Sequence, residues 1–322
     1  MATSRLIATF KANIVLFGAL LANIGIAIAK FVAAALTGSS SMLSEGFHSL
    51  VDSGNQILLL YGGKKAKRAP DARHPFGYGR ELYFWSFIVA ILIFAFGAGI
   101  SFYEGWVHWR EPEPLRDPLV NYVVLAIAVM LEGTSWAIAV REFRRAKGDT
   151  GWWRAIRESK DPASFIVLFE DSAALTGLAV AAAGIWASHQ FGDPRIDGIA
   201  SMIIGVILAC VALLLLREAK GLLIGERADP AVVEQVRCMV AAHPGIRTVN
   251  HVRTIHTAPQ SVFVAISADF EDAMSMREGE ALIETIEAEL KAKLPQLSSI
   301  YIRPERHEDS PDATNPTKHE RT

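Results

Sequence analysis

Six stretches of this chain are long and apolar enough to cross a bilayer, at roughly 13–37, 41–62, 82–108, 118–140, 163–189 and 196–216. A hydrocarbon core requires about 20 predominantly apolar residues per helix, and only structures that satisfy their own backbone can span it. These runs explain why 51% of the 322 residues are hydrophobic. They predict an α-helical membrane protein with six transmembrane helices. Arg5 and Lys11 precede the first run, and no polar mature domain follows a small-residue cleavage site, so the first run is expected to be a membrane helix and not a signal peptide. The basic residues of the short loops fall on one side: Lys64, Lys65, Lys67, Arg68, Arg73 and Arg80 in one loop, and Arg141 to Lys160 in another. The other side holds only Arg110, Arg116 and Arg195. This asymmetry predicts an even number of crossings with both termini cytoplasmic.

Two of the six runs carry polar residues that an apolar helix does not need. The second reads Ser41, Ser44, Glu45, His48, Asp52, Asn55 and Gln56 at intervals of three and four, which places them on one stripe of a helix. His48 and Asp52 lie roughly 6 Å apart along the axis at 1.5 Å per residue, close enough for an imidazole nitrogen and a carboxylate oxygen to meet one divalent cation. The same residues would also suit a capped helix start with a satisfied polar face. The fifth run begins Asp161-Pro162, a cap followed by proline, and carries Glu170 and Asp171 side by side. Ionisable groups at membrane depth are costly and mark functional candidates. Lys30 on the first run shares a face with Asn23, and Glu132 lies on the fourth; that pair would suit either a structural ion pair or a transport path. Asp193 and Asp197 flank the start of the sixth run, where capping is the expected role.

Beyond about residue 220 no apolar run remains. Helical periodicity over Pro230–Ala242, β-rich runs over Val249–His256 and Val262–Phe270, an amphipathic helix over Arg277–Leu294 and a last strand over Ser298–Arg303 give the order αββαβ, a small α+β domain. The expected division is a membrane domain over 1–220, this domain over 221–306, and a disordered polar tail over 307–322. A net charge of −2 gives no footprint for nucleic acid. The two cysteines, Cys210 and Cys238, form no disulfide framework. There is no Walker sequence for an ATP-driven pump, and no His-Glu-x-x-His for an intramembrane metallohydrolase. The basic loop also suits anionic headgroups of membrane lipids.

His48-x-x-x-Asp52, Asp171, the loop Asp71-Ala-Arg-His74-Pro-Phe-Gly-Tyr-Gly and the order of six helices before αββαβ together resemble the cation diffusion facilitator family. The resemblance covers the chain to about Glu305. It implies a ferredoxin-like cytoplasmic domain and a homodimer in the cytoplasmic membrane. It also implies proton-coupled export of Zn²⁺ or a related divalent ion (Mn²⁺, Fe²⁺ or Co²⁺) as transported substrate, with no resident cofactor and no enzymatic activity. The implied metal ligands are His48, Asp52 and Asp171. The chain departs from the pattern at Val167, four residues before Asp171, where the family carries a ligand. Glu170 is an addition, as in one divergent branch. It stands about 100° around the helix from Asp171, and it could ligate, carry protons, or pair with Lys30. Asp71 and His74 form an incomplete second site, because Tyr78 stands where a second His is usual. His251 occupies a position that often ligates in the cytoplasmic domain, but its expected partners read Ile266 and Ile302-Arg303. A membrane-anchored scaffold whose transport has decayed is the alternative that Val167 favours. Zn²⁺ takes about four ligands from imidazole nitrogen and carboxylate oxygen. A histidine must be neutral to bind, so loading displaces protons.

Overall fold

A computed structural model describes residues 20–21, 23–112, 118–149 and 151–309. Arg5, Lys11, Asn13, Arg116 and the tail beyond 309 lie outside the described residues. The chain divides into two compact units: one comprises residues 1–65 and 81–220, the other residues 66–80 and 221–322.

The first unit is helical. Its elements are α1 (Asn23–Thr37), α2 (Ser40–Ala66), α3 (Glu81–Arg110), α4 (Pro118–Lys147), α5 (Trp152–Glu158), α6 (Pro162–Phe191) and α7 (to Ile224 from Arg195). Among the described residues, four helices are apolar and long enough to cross a membrane: α3, α4, α6 and α7, each of 30 residues. At 1.5 Å per residue each extends for about 45 Å. The remaining two expected crossings differ for separate reasons. The described part of α1 is short, whereas α2 runs for 27 residues but carries the polar stripe. Leu119, Val123, Ile127 and Met130 of α4 are exposed, as a lipid-facing surface requires. The core of the unit gathers Ile26, Met42, Leu178, Ile185, Ile204 and Leu208.

Small residues set the helix packing. A Cβ added at Gly105 would collide with the backbone of Gly198 and Met202, and one at Gly198 would strike the backbone of Trp109. α3 and α7 therefore touch backbone to backbone, the usual way helices associate where lipid supplies no hydrophobic drive. Within α3, Ile93–Ala98 is wound as a π-helix.

The start of α2 is built by serines. Gly38 closes α1 at φ 72° and donates its N–H to the Ala34 carbonyl at 2.8 Å. Ser39 Oγ then accepts from Met42 N at 3.2 Å, an N-cap. Asp197, read as a cap of its own helix, instead serves α2 across the bundle. Its carboxylate accepts from Ser41 N at 3.2 Å and from the hydroxyls of Ser39 and Ser41. Asp193 is the local cap, accepting from Arg195 N at 3.0 Å. Asp161 takes the Ser164 hydroxyl at 2.7 Å and caps no backbone N–H of α6.

The second unit contains α8 (Pro230–Ala241), β1 (Ile246–Ala258), β2 (Ser261–Phe270), α9 (Met276–Lys293) and β3 (Leu297–Pro304). This is the expected αββαβ order. The sheet runs β1-β2-β3, with β1 antiparallel and β3 parallel to β2. Val262, Val264, Ile266 and Ala268 alternate onto one buried face, and Val236, Val240, Ile286 and Leu290 of the two helices share its core. A capping box between Ser275 and Glu278 opens α9. After β3, His307–Asp309 forms a 3₁₀ turn, with His307 Nδ1 2.9 Å from Asn250 Oδ1. The loop over 66–80 belongs to this unit, and Phe76 packs edge-on against Phe263 at 5.5 Å.

Candidate functional site

The polar stripe of α2 is buried from Ser41 to His48 and partly open at Asp52 and Gln56. Ser41, Ser44 and Glu45 are fully buried and His48 is 1% exposed. Ser44 hydrogen-bonds Ser201, whose hydroxyl donates to the Ser101 carbonyl at 2.8 Å, so the upper stripe is satisfied by α7 and α3. Lower down the stripe changes character. His48 Nε2 lies 3.5 Å from Asp52 Oδ2, and neither ring nitrogen of His48 makes a hydrogen bond. Asp52 Oδ1 and Asn55 Oδ1 are likewise buried without partners. Buried polar atoms are ordinarily paired, and an unpaired one calls for an explanation.

Glu170 on α6 completes this group. Its Oε1 accepts from Asn55 Nδ2 at 2.7 Å, and its carboxyl lines the same cavity as that of Asp52. Two carboxyl groups brought to one cavity inside a helical bundle suit a bound cation, which offsets their mutual repulsion. The pair opens on a cavity of about 280 Å³, whose polar lining includes Asp52, Gln56, Glu132, Ser135, Glu170 and Asp171. Glu170 and Asp171 leave α6 in different directions, as their 100° offset requires. Asp171 turns to α4, where it accepts from Ser135 Oγ at 2.8 Å. Of the four ligands expected from sequence, His48, Asp52 and Glu170 are therefore neighbours, while Asp171 reaches the same cavity from its α4 side. Among the described residues no three His, Cys, Asp or Glu side chains are gathered as a ready-made metal cluster.

Lys30 is fully buried and makes three bonds: to Glu45 Oε2 at 2.9 Å, Ser49 Oγ at 2.8 Å and Glu132 Oε1 at 2.9 Å. It pairs with Glu45 and Glu132, and not with Glu170. The ammonium thus ties α1 to α2 and α4 beside the cavity. Glu132 Oε2 remains buried and unpartnered. Ser135 was not singled out from sequence, although it stands three residues after Glu132, on the same face of α4.

The loop and strand candidates behave differently. Asp71 Oδ1 accepts from the backbone N–H groups of Arg73 at 2.9 Å and His74 at 2.8 Å, and Tyr78 donates its hydroxyl to Oδ2 at 2.6 Å. These bonds, the tyrosine hydroxyl first, hold the Asp71 carboxyl down at about 2. The His74 ring lies against Tyr78, tilted by 37°, with ring centroids 4.2 Å apart. Asp71 therefore organises the turn through its own backbone. His251 stands on β1 opposite Ser267 of β2.

The helical membrane domain thus carries one cavity lined by carboxyl groups, with the buried His48 one turn from Asp52, and a small mixed-sheet domain follows it in the chain. Residues 16–224 match the family model described as the cation efflux transmembrane domain, and residues 228–307 match the cation efflux protein cytoplasmic domain. The chain belongs to this family, the cation diffusion facilitators. It is 33% identical over 251 residues to the proton-coupled zinc antiporter SLC30A9, mitochondrial, of Xenopus laevis, covering 77% of this chain and 45% of the relative. It is 34% identical over 206 residues to metal tolerance protein C4 of Arabidopsis thaliana, covering 62% of this chain and 44% of the relative. The cation-efflux pump FieF of Serratia proteamaculans is 25% identical over 270 residues, 83% of each chain. The chain spans under half the length of the two eukaryotic relatives.

Proposed function

We propose that this chain exports a divalent metal cation, Zn²⁺ in preference to others, in exchange for protons, with the cargo held between α2 and α6 by His48, Asp52 and Glu170. The observation that carries this reading is the Asp52–Glu170 carboxyl pair, contributed by two helices at the edge of a cavity and one turn from a histidine with both nitrogens unpartnered. Asp171 is the fourth group, entering the shell when it leaves Ser135. Imidazole nitrogen with carboxylate oxygen suits Zn²⁺. The high carboxylate share also admits Mn²⁺, Fe²⁺ and Co²⁺ as a second reading. A proton shared by the carboxyl pair must leave when the cation arrives, so binding and proton release are coupled at one place. Two relatives, named a proton-coupled zinc antiporter and a cation-efflux pump, support this direction. The protein is on this reading a transporter and not an enzyme. It sits in the cytoplasmic membrane with both termini and the basic loops facing the cytoplasm, and residues 221–306 act as the dimerisation domain of a homodimer. The domain limits 1–220, 221–306 and 307–322 belong to the same proposal, as do Asp71, His74 and His251 as secondary positions with at most weak affinity. The test is metal-driven proton flux in liposomes across a series of divalent ions. Flux strongest with Zn²⁺ and absent with Mg²⁺ supports the reading, and flux independent of every metal rejects it.

A further inference from the structure

A second cavity, of about 560 Å³, lies at the other end of the α2 stripe, lined by α1, the first turn of α2 and the last two turns of α3. Two of its walls carry polar atoms that the fold leaves without partners. His108 is 8% exposed and its Nε2 makes no hydrogen bond; Ser40 is 4% exposed and its Oγ makes none. Glu104 lies four residues before His108 on α3, hence on the same face, and lines the same space. Glu111 stands at its rim. Among the described residues no lysine or arginine lines the cavity, and neighbouring Arg110 is held over the Trp106 ring at 5.0 Å.

The helix ends also select for positive charge. Ala34 and Ala35 of α1 and Val107 and His108 of α3 border the cavity, and each pair sits in the last turn of its helix. The carbonyl end of a helix carries about half a negative charge. The one N-terminus present, that of α2, would repel a cation, but the Asp197 carboxylate already occupies it through Ser41 N. From Ser40 to Asp52 is twelve residues, about 18 Å along α2, and the side chains between them on the stripe, Ser41, Ser44, Glu45 and His48, are all buried.

We infer that this second cavity is a divalent-cation subsite, with His108 Nε2 and the Glu104 carboxylate as ligands and Ser40 Oγ as a supporting oxygen, through which cargo passes between the α2–α6 site and the face of the membrane domain where α1 meets α2. The inference rests on the transport reading above. Two strong ligands, where the cargo site offers three or four, suit a position the ion must leave, because conduction needs binding strong enough to enter and weak enough to exit.

The test uses full-length protein in detergent and Zn²⁺ alone, titrated calorimetrically. In the Asp52→Ala/Glu170→Gln background, which removes the cargo site, a weak Zn²⁺ binding event is expected to remain. Adding His108→Ala should abolish it, and adding Glu104→Gln should weaken it. Size-exclusion profiles confirm folding, and His108→Gln replaces His108→Ala should the latter aggregate. Absence of residual binding in the double variant, or residual binding unchanged by the His108 and Glu104 substitutions, overturns the inference. Tight binding that survives the double variant but disappears with His108→Ala would instead reject the α2–α6 cargo site and leave this subsite standing.

Discussion

The α2–α6 site and the loop over 71–78 both set a histidine three or four residues from an aspartate, and they end in opposite conditions. In the loop, Asp71 has two backbone N–H groups and a tyrosine hydroxyl on its carboxylate, and about half of the Asp71 and His74 side-chain surface is open to water. In α2, His48 is buried with neither nitrogen hydrogen-bonded, and Asp52 shares its cavity with the Glu170 carboxyl. The same residue types thus hold a turn together in one place and leave buried polar atoms without hydrogen-bond partners in the other. The difference lies in what the backbone supplies: a loop has free N–H groups to donate, while a helix interior has spent all of its own. A carboxylate on a buried helix must find its partner on another helix or in a cation.

The largest expected effect that breaks this comparison is at Asp52. Asp52→Ala should eliminate metal-driven flux while leaving the dimer intact, whereas Asp71→Ala should leave flux near wild type; equal losses would erase the distinction. Next comes Lys30. Removing one partner from a buried ion pair costs about 3–5 kcal/mol, so Lys30→Met should lower thermal stability in detergent sharply, and Lys30→Met/Glu45→Gln should recover part of it. A Lys30→Met protein as stable as wild type would show that the triad does not hold α1, α2 and α4 together.

A finer test separates the adjacent acids of α6. Glu170→Gln should weaken metal binding more than Asp171→Asn, because Glu170 faces Asp52 while Asp171 is engaged by Ser135. The reverse order would assign Asp171 as the principal ligand. The smallest effect concerns the loop. The Asp71 carboxyl is held down at about 2, first by Tyr78 and then by backbone N–H groups. A depressed carboxyl pKa contributes stability that is present above the ordinary value, about 3.9, and is lost as pH falls from there through about 2. The Asp71 carboxyl resonance in isotopically labelled protein should titrate in that window, and Tyr78→Phe should move its midpoint upward. An unmoved midpoint would show that Tyr78 does not hold the loop.

Much of this was legible in the sequence. The apolar runs placed the membrane helices because hydrophobic length is a local property, and the β-rich runs placed β1 to β3 within a few residues. The stripe on α2 was readable because three- and four-residue spacing fixes a helix face. What the sequence withheld depends on how helices are rotated against one another. Nothing local says that Glu170 faces Asn55 while Asp171 faces Ser135, or that Asp197 caps α2 across the bundle. The docking of Phe76 on Phe263 was equally hidden, since it joins segments far apart in sequence. Lys30 lay between these cases: its shared face with Asn23 marked the side of α1, but its choice of Glu45 and Glu132 required the fold.

The most direct measurement is proton flux driven by Zn²⁺ in liposomes containing wild-type protein, Asp52→Ala or Glu170→Gln. If the cargo passes between Asp52 and Glu170, Zn²⁺ drives flux in the wild type, none in Asp52→Ala and strongly reduced flux in Glu170→Gln. Wild-type flux in both folded variants would contradict the account.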